Sequence, residues 1–200
     1  MLFIARQLLT MRKVLVIGSG GSGKSTFAGR LAEQTGLPLI HLDALYWNPG
    51  WLETPKSEWA GRVEELLAGD RWIMDGNYDG TLERRLAACD TVIFLDLPRW
   101  ICLARVARRR VRFRGRSRPD MREGCPERLT WEFVRWIWKY PLEQRPKVLD
   151  RLSRLDSNSQ VFVLRSRGEV QDFFVGVRPD APDSRVSVES VEAAIPPSSP

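Results

Sequence analysis

The sequence predicts an α/β fold, a parallel β-sheet covered by helices on both faces. Three observations predict it. Short apolar, β-branched runs alternate along the chain with longer stretches of helical composition, the arrangement that places parallel strands in a sheet and crossover helices over it. The chain has 200 residues, 43% of them hydrophobic, enough for one α/β domain with a substantial core. The first apolar run, Lys13-Val-Leu-Val-Ile17, passes through a glycine-rich octapeptide directly into a helical segment.

That octapeptide, residues 18–25, reads Gly-Ser-Gly-Gly-Ser-Gly-Lys-Ser and fits the phosphate-loop pattern G-x-x-x-x-G-K-[ST] at every fixed position. Its glycines let the backbone crowd close to an anion. Its N–H groups then form a nest, and the following helix adds the positive end of its dipole. On this reading Gly18, Ser19, Gly20, Gly21, Ser22, Gly23, Lys24, Ser25 and Thr26 form the cofactor cradle. Lys24 supplies a mobile charge for β- and γ-phosphates and Ser25 a hydroxyl for Mg2+. In the helix behind it, Phe27, Leu31 and Ala32 form one apolar face.

Further strands are expected at 38–41, 72–74, 91–95 and 161–164. Helices are expected at about 24–35, 56–68, 80–88, 98–114, 127–140 and 142–155, with a short one at 168–174. Asp75 ends the third strand, at the sheet edge where ligands of such folds bind. It reads either as a Mg2+ ligand or as an ordinary turn residue. Asp43 ends the second strand and reads as an acceptor-orienting carboxylate or as a helix N-cap. Tyr46, Trp47, Trp51 and Trp59 follow it, either packing an insert onto the domain or stacking on a ring.

Arg105, Arg108, Arg109 and Arg112 fall at i, i+3, i+4 and i+7 of one helix face, with Arg110, Arg114, Arg116 and Arg118 beside them. Like charges so close repel. The pattern reads as a solvated basic helix, as arginines that stabilise charge in phosphoryl transfer, or as a grip on nucleic acid. In 127–140, Arg128, Glu132, Arg135 and Lys139 make a polar stripe. Leu129, Phe133, Trp136, Ile137 and Tyr140 cover the opposite side, widened by Trp131 and Trp138.

The formal charge of +6 and pI of about 9.6 suit anionic ligands. Cys89, Cys102 and Cys125 share no CxxC spacing, which argues against a disulfide framework or zinc site and for a cytoplasmic location. His41 is the single histidine and cannot build a His-rich metal site alone. No apolar run approaches the roughly 20 residues of a membrane helix, so no membrane partner is expected.

These segments together resemble the adenylate-kinase-type P-loop kinases and, within them, the small bacterial DNA topology modulation proteins. The carriers are the loop at 18–25, His41-Leu-Asp-Ala-Leu-Tyr-Trp47, Trp72-Ile-Met-Asp-Gly-Asn-Tyr78, Val92-Ile-Phe-Leu-Asp-Leu-Pro98, the arginine segment and Trp136-Ile-Trp-Lys-Tyr-Pro141, spanning about 12–165. The resemblance implies a P-loop NTPase three-layer sandwich, with a five-stranded parallel sheet in the order 2-3-1-4-5 and a short arginine-rich lid at about 110–127. It implies ATP and Mg2+ as cofactors, Ser25 and Asp75 on the metal, and Lys24, Arg105, Arg109 and Asp75 as the catalytic set. Asp43 matches the start of the acceptor segment. The adenylate kinases' Asp-Gly-Phe-Pro-Arg is Asp75-Gly-Asn-Tyr78 here, so Asn77 or Arg85 is expected to replace the missing arginine. The implied activity is transfer of the γ-phosphate to a small acceptor, a nucleotide or nucleoside. A nucleic-acid-associated ATPase and a nucleotide-responsive regulator without turnover are the alternatives.

Residues 1–11 read as an N-terminal extension, 12–176 as the domain and 177–200, rich in Pro, Ser and Asp, as a disordered tail. Residues 1–10 read as dispensable. A protein starting at Met11 is expected to match the full chain in soluble yield and nucleotide affinity, and a loss of either overturns this reading.

Overall fold

The structure is a computed structural model that describes residues 11–156 and 159–176. Positions 1–10 of the expected extension and the expected tail lie outside the described residues. The elements run β1 (Lys13–Gly18), α1 (Lys24–Thr35), β2 (Leu39–His41), α2 (Leu42–Tyr46), β3 (Trp47–Asn48), β4 (Leu52–Glu53), α3 (Lys56–Leu67), β5 (Trp72–Asp75), α4 (Asp79–Ala88), β6 (Thr91–Leu95), α5 (Arg99–Arg112), α6 (Trp131–Glu143), α7 (Arg145–Ser153), β7 (Gln160–Leu164) and α8 (Arg167–Gly176).

Five strands form one sheet in the order β2-β5-β1-β6-β7, every neighbouring pair parallel. Counted within that sheet alone the order is 2-3-1-4-5, as expected. The remaining two strands, β3 and β4, form a separate antiparallel hairpin that the sequence reading did not foresee.

Alternation along the strands builds two cores. Leu15, Ile17, Trp72, Met74, Val92 and Phe94 face one way, onto Trp59 and Val63 of α3, Leu82 and Leu86 of α4, and Val148 and Leu152 of α7. Val14, Val16, Ile73, Ile93 and Leu95 face the other way, onto Phe27, Ala28 and Leu31 of α1 and Phe173 and Phe174 of α8. A one-residue slip in any central strand would exchange these two sets, so register is tightly specified. Met11, assigned by the sequence reading to the extension, is buried in the second core.

Two helices differ from expectation: α2 was not foreseen, so Asp43 lies in its first turn and not at the end of β2, and α6 starts late. The segment expected as a helix at 127–140 begins at Trp131, because Thr130 takes an extended conformation and its side chain accepts a hydrogen bond from the Phe133 N–H. Residues 127–130 therefore belong to the preceding loop. Trp131 and Trp138 do not widen the buried face; both are exposed, while Ile137 and Tyr140 are buried.

No described helix is long and apolar enough to cross a membrane. Phe94 lies fully buried at the centre of the sheet, and Phe94→Ala is expected to lower stability by about 3–5 kcal/mol, measured by urea unfolding.

Candidate functional site

The octapeptide connects β1 to α1 at the carboxyl edge of the sheet. Gly21 is required there on two counts. Its φ is +77°, and a Cβ at this position would lie 2.3 Å from the Cys102 carbonyl oxygen of α5. At Gly20 a Cβ would lie 2.5 Å from Phe133 Cζ of α6. Two glycines that the sequence assigned to anion approach thus also let α5 and α6 pack against the loop.

Helix α1 starts with no side-chain cap at Gly23 and no acid in its first turn. Its leading N–H groups have no intrahelical partner, and the dipole favours negative charge there. Ser22 Oγ is buried without a hydrogen-bond partner. Ser25 and Thr26 are the second and third residues of α1. Lys24 Nζ donates to the Gly18 and Ser19 carbonyls, both at 3.0 Å. Burial lowers the pKa of this ammonium, opposed by the charges of Asp43 and Asp75.

Asp75 ends β5 and is buried. Its Oδ1 lies 2.7 Å from His41 Nδ1, since β2 and β5 end in register with His41 opposite Asp75. Burial alone would lower the His41 pKa. The hydrogen bond and charge of Asp75, aided by Asp120 and Asp43, outweigh it and raise that pKa. The sequence reading set His41 aside; its signal was its place at a strand end, two residues before Asp43. Asp43 lies in the first turn of α2 and accepts a hydrogen bond from Tyr78 Oη at 2.7 Å. Burial and the Asp43 charge drive the Tyr78 pKa upward.

Asn77 and Arg85, expected on the acceptor side, are both held by backbone groups. Asn77 Oδ1 accepts from the Gly18 N–H at 3.1 Å, and Asn77 Nδ2 donates to the Gly18 carbonyl at 2.7 Å. Its amide is thereby committed to the loop. Arg85 is fully buried. It donates to the carbonyls of Gly76 and Tyr78, each at 2.9 Å, to the Asn77 carbonyl, and to Thr81 Oγ1 at 3.2 Å. Burial pulls its pKa down to about 10. Its guanidinium holds the segment after β5.

The two lid-side arginines differ. Arg105 Nη1 donates to the Ser22 carbonyl at 2.7 Å and so adjoins the loop. Arg109 Nε donates to Glu127 Oε1 at 2.9 Å, and Glu127, itself buried, also pairs with Arg118 Nε at 2.9 Å. Burial, then the Arg118 charge, lowers the Arg109 pKa against the pull of Glu127.

Residues 113–130, the connection between α5 and α6, hold most of the segment expected as a lid at about 110–127, whose first residues belong to α5. The connection is fastened to the β3–β4 hairpin. The Gly50 N–H donates to the Gly124 carbonyl at 2.9 Å, Trp51 Nε1 donates to the Pro126 carbonyl at 3.0 Å, and Arg122 Nη1 donates to Asn48 Oδ1 at 2.9 Å. Trp51 has a φ of +64°, and the Arg128 guanidinium lies 4.4 Å from its ring centroid. Tyr46, Trp59 and Tyr78 pack mutually at 4.7–5.1 Å between centroids, which bears out packing for that part of the aromatic cluster.

No family model and no curated protein matches the chain. Solved structures give distant likenesses. A shikimate kinase from Acinetobacter baumannii in complex with shikimate is 18% identical, with 82% of this chain and 89% of that one covered and a TM-score of 0.49. A sugar kinase from Janibacter sp. HTCC2649 is 21% identical over 82% and 92%, with a TM-score of 0.43. A shikimate kinase from Bacteroides thetaiotaomicron is 14% identical over 82% and 94%, also at 0.43. The fold assignment rests on the chain's own sheet order and loop.

Each buried carbonyl left without a donor costs roughly 1–3 kcal/mol. Arg85→Met, which leaves the Gly76 and Asn77 carbonyls without a donor while the Tyr78 carbonyl keeps the Thr81 N–H, is expected to lower the unfolding free energy by roughly 2 kcal/mol or more, read from urea denaturation.

Proposed function

We propose that this chain is a Mg2+-ATP-dependent phosphotransferase of the adenylate-kinase type, acting in the cytoplasm. It would move the γ-phosphoryl group to a small acceptor, a nucleoside or nucleotide. The observation that carries this reading is the placement of Lys24. It lies between an uncapped helix start and the Asp43 and Asp75 carboxylates, whose charges it feels.

When bound, Mg2+-ATP supplies the transferable phosphoryl group. The residues present suit it. The loop N–H groups and the start of α1 are fixed donors for phosphate oxygens, and Ser22 Oγ is a buried hydroxyl without a partner. Among the described residues no three His, Cys, Asp or Glu side chains converge as a metal cage. Mg2+ needs none, since it keeps several waters and takes one or two protein ligands beside phosphate oxygens. Ser25 and Asp75 are those ligands in this reading.

Lys24 and Arg105 neutralise charge on the transferred group. Arg109 joins them when it exchanges Glu127 for a phosphate oxygen. Asp43, oriented by Tyr78 Oη, positions the acceptor hydroxyl. Positioning and electrostatics carry most of the rate in such chemistry.

The test is ADP release from Mg2+-ATP across a panel of nucleosides and nucleotides, with and without DNA. Turnover on one acceptor class supports the reading; hydrolysis stimulated by DNA alone replaces it with a nucleic-acid-dependent ATPase. Lys24→Ala is expected to cut turnover by several orders of magnitude with an unchanged circular dichroism spectrum. Near-normal turnover in that variant removes the mechanism.

A further inference from the structure

Helices α5 and α6 turn Cys102, Val106 and Ile137 inward, beside the loop. Their outer faces carry large apolar side chains that the described residues leave exposed in large part. On α5, Trp100 is 61% and Val111 78% exposed, with Ile101 beside them. On α6, Trp131, Trp138 and Leu142 recur at i, i+7 and i+11, a single helical stripe; Trp131 is 74% and Leu142 76% exposed.

Cations are interleaved with them. Arg99 lies 4.1 Å from the Trp138 ring centroid and 5.4 Å from that of Trp100. Arg108, Arg112 and Arg135 are exposed on the same two helices, and none has an ion-pair partner among the described residues. No Asp or Glu occurs between Asp96 and Asp120. The acids of α6 are Glu132 and Glu143, and Glu143 is paired with Lys139.

We propose that this two-helix face docks on the surface of an anionic lipid bilayer, lying in its plane. The composition decides between occupants. A second copy of the face would bring unpaired arginines against arginines. Nucleic acid would use the guanidinium groups, but Ile101, Val111 and Leu142 gain nothing from base stacking. Trp100 and Trp138 are also packed edge to face on each other, 4.6 Å between centroids, rather than open as a platform. A headgroup layer uses every group. Indoles settle at the interface, aliphatic side chains reach the acyl boundary, and arginines lay their stems along it with their heads at lipid phosphates. This is contact with a membrane surface rather than a span, and it departs from the sequence expectation of no membrane partner.

The experiment is co-sedimentation of the full chain with vesicles of phosphatidylcholine alone, or of phosphatidylcholine and phosphatidylglycerol in equal parts. A single-stranded oligonucleotide and a sedimentation-velocity run on protein alone are added. Expected is binding to the anionic vesicles only, weakened by salt. Trp100→Ala with Trp138→Ala is expected to lower partition by roughly tenfold or more. Arg108→Glu with Arg112→Glu should lower it comparably at low salt. The tryptophan pair lies outside the proposed nucleotide site, so its ATP affinity should stay at the wild-type value, and unfolding curves of both variants check that the fold is kept. Failure of the wild-type chain to bind the anionic vesicles overturns the proposal, as does binding that neither pair weakens. Tryptophan-dependent binding of the oligonucleotide without vesicle binding reassigns the face to nucleic acid. Tryptophan-dependent self-association without vesicle binding reassigns it to a second copy.

Discussion

The geometry of the sheet edge depends on one buried guanidinium. Arg85 gathers the carbonyls of Gly76, Asn77 and Tyr78 around a single cation. Taking that charge out of water is costly, and converging carbonyl dipoles and the Thr81 hydroxyl offset the cost. The result is a turn of fixed shape directly after Asp75. Within it Asn77 faces the loop and holds Gly18 by two hydrogen bonds, and Tyr78 adopts a left-handed backbone that delivers its hydroxyl to Asp43. The loop, Asp75 and Asp43 are thereby referenced to one another.

Much of this was legible in the sequence because it follows from periodicity and spacing. The apolar alternation in β1, β5 and β6 sorts side chains onto two faces without further information, and the loop pattern marks the β1–α1 junction at single-residue resolution. What was not legible is what burial decides. A guanidinium six residues into a helix carries no mark of being enclosed, so Arg85 read as a ligand contact. Strands of two residues, as in β3 and β4, fall below any detectable period. In α6 the apolar count looked continuous from Leu129 onward. Only the Thr130 cap shows where the helix begins, and that start turns Trp131 and Trp138 outward.

The loop also carries two demands at once. Its glycines admit the close approach of α5 and α6, on the same backbone that the phosphate-loop pattern assigns to an anion. The Cys102 carbonyl and the Phe133 ring lie where a side chain at Gly21 or Gly20 would be. Helix packing and ligand approach thus constrain the same backbone, which fits the observation that Lys24 already rests on loop carbonyls in a desolvated position.

The fastening of the lid to the hairpin bears on how either piece can move. Hydrogen bonds from Gly50, Trp51 and Arg122, together with the stacking of Arg128, tie the arginine-bearing strap to the segment that follows Asp43. Neither piece can swing by itself without breaking those ties together. The strap and the hairpin are therefore one hydrogen-bonded unit, and a displacement of either would carry the other with it. Glu127 belongs to that same unit, so its ion pair with Arg109 joins α5 to it.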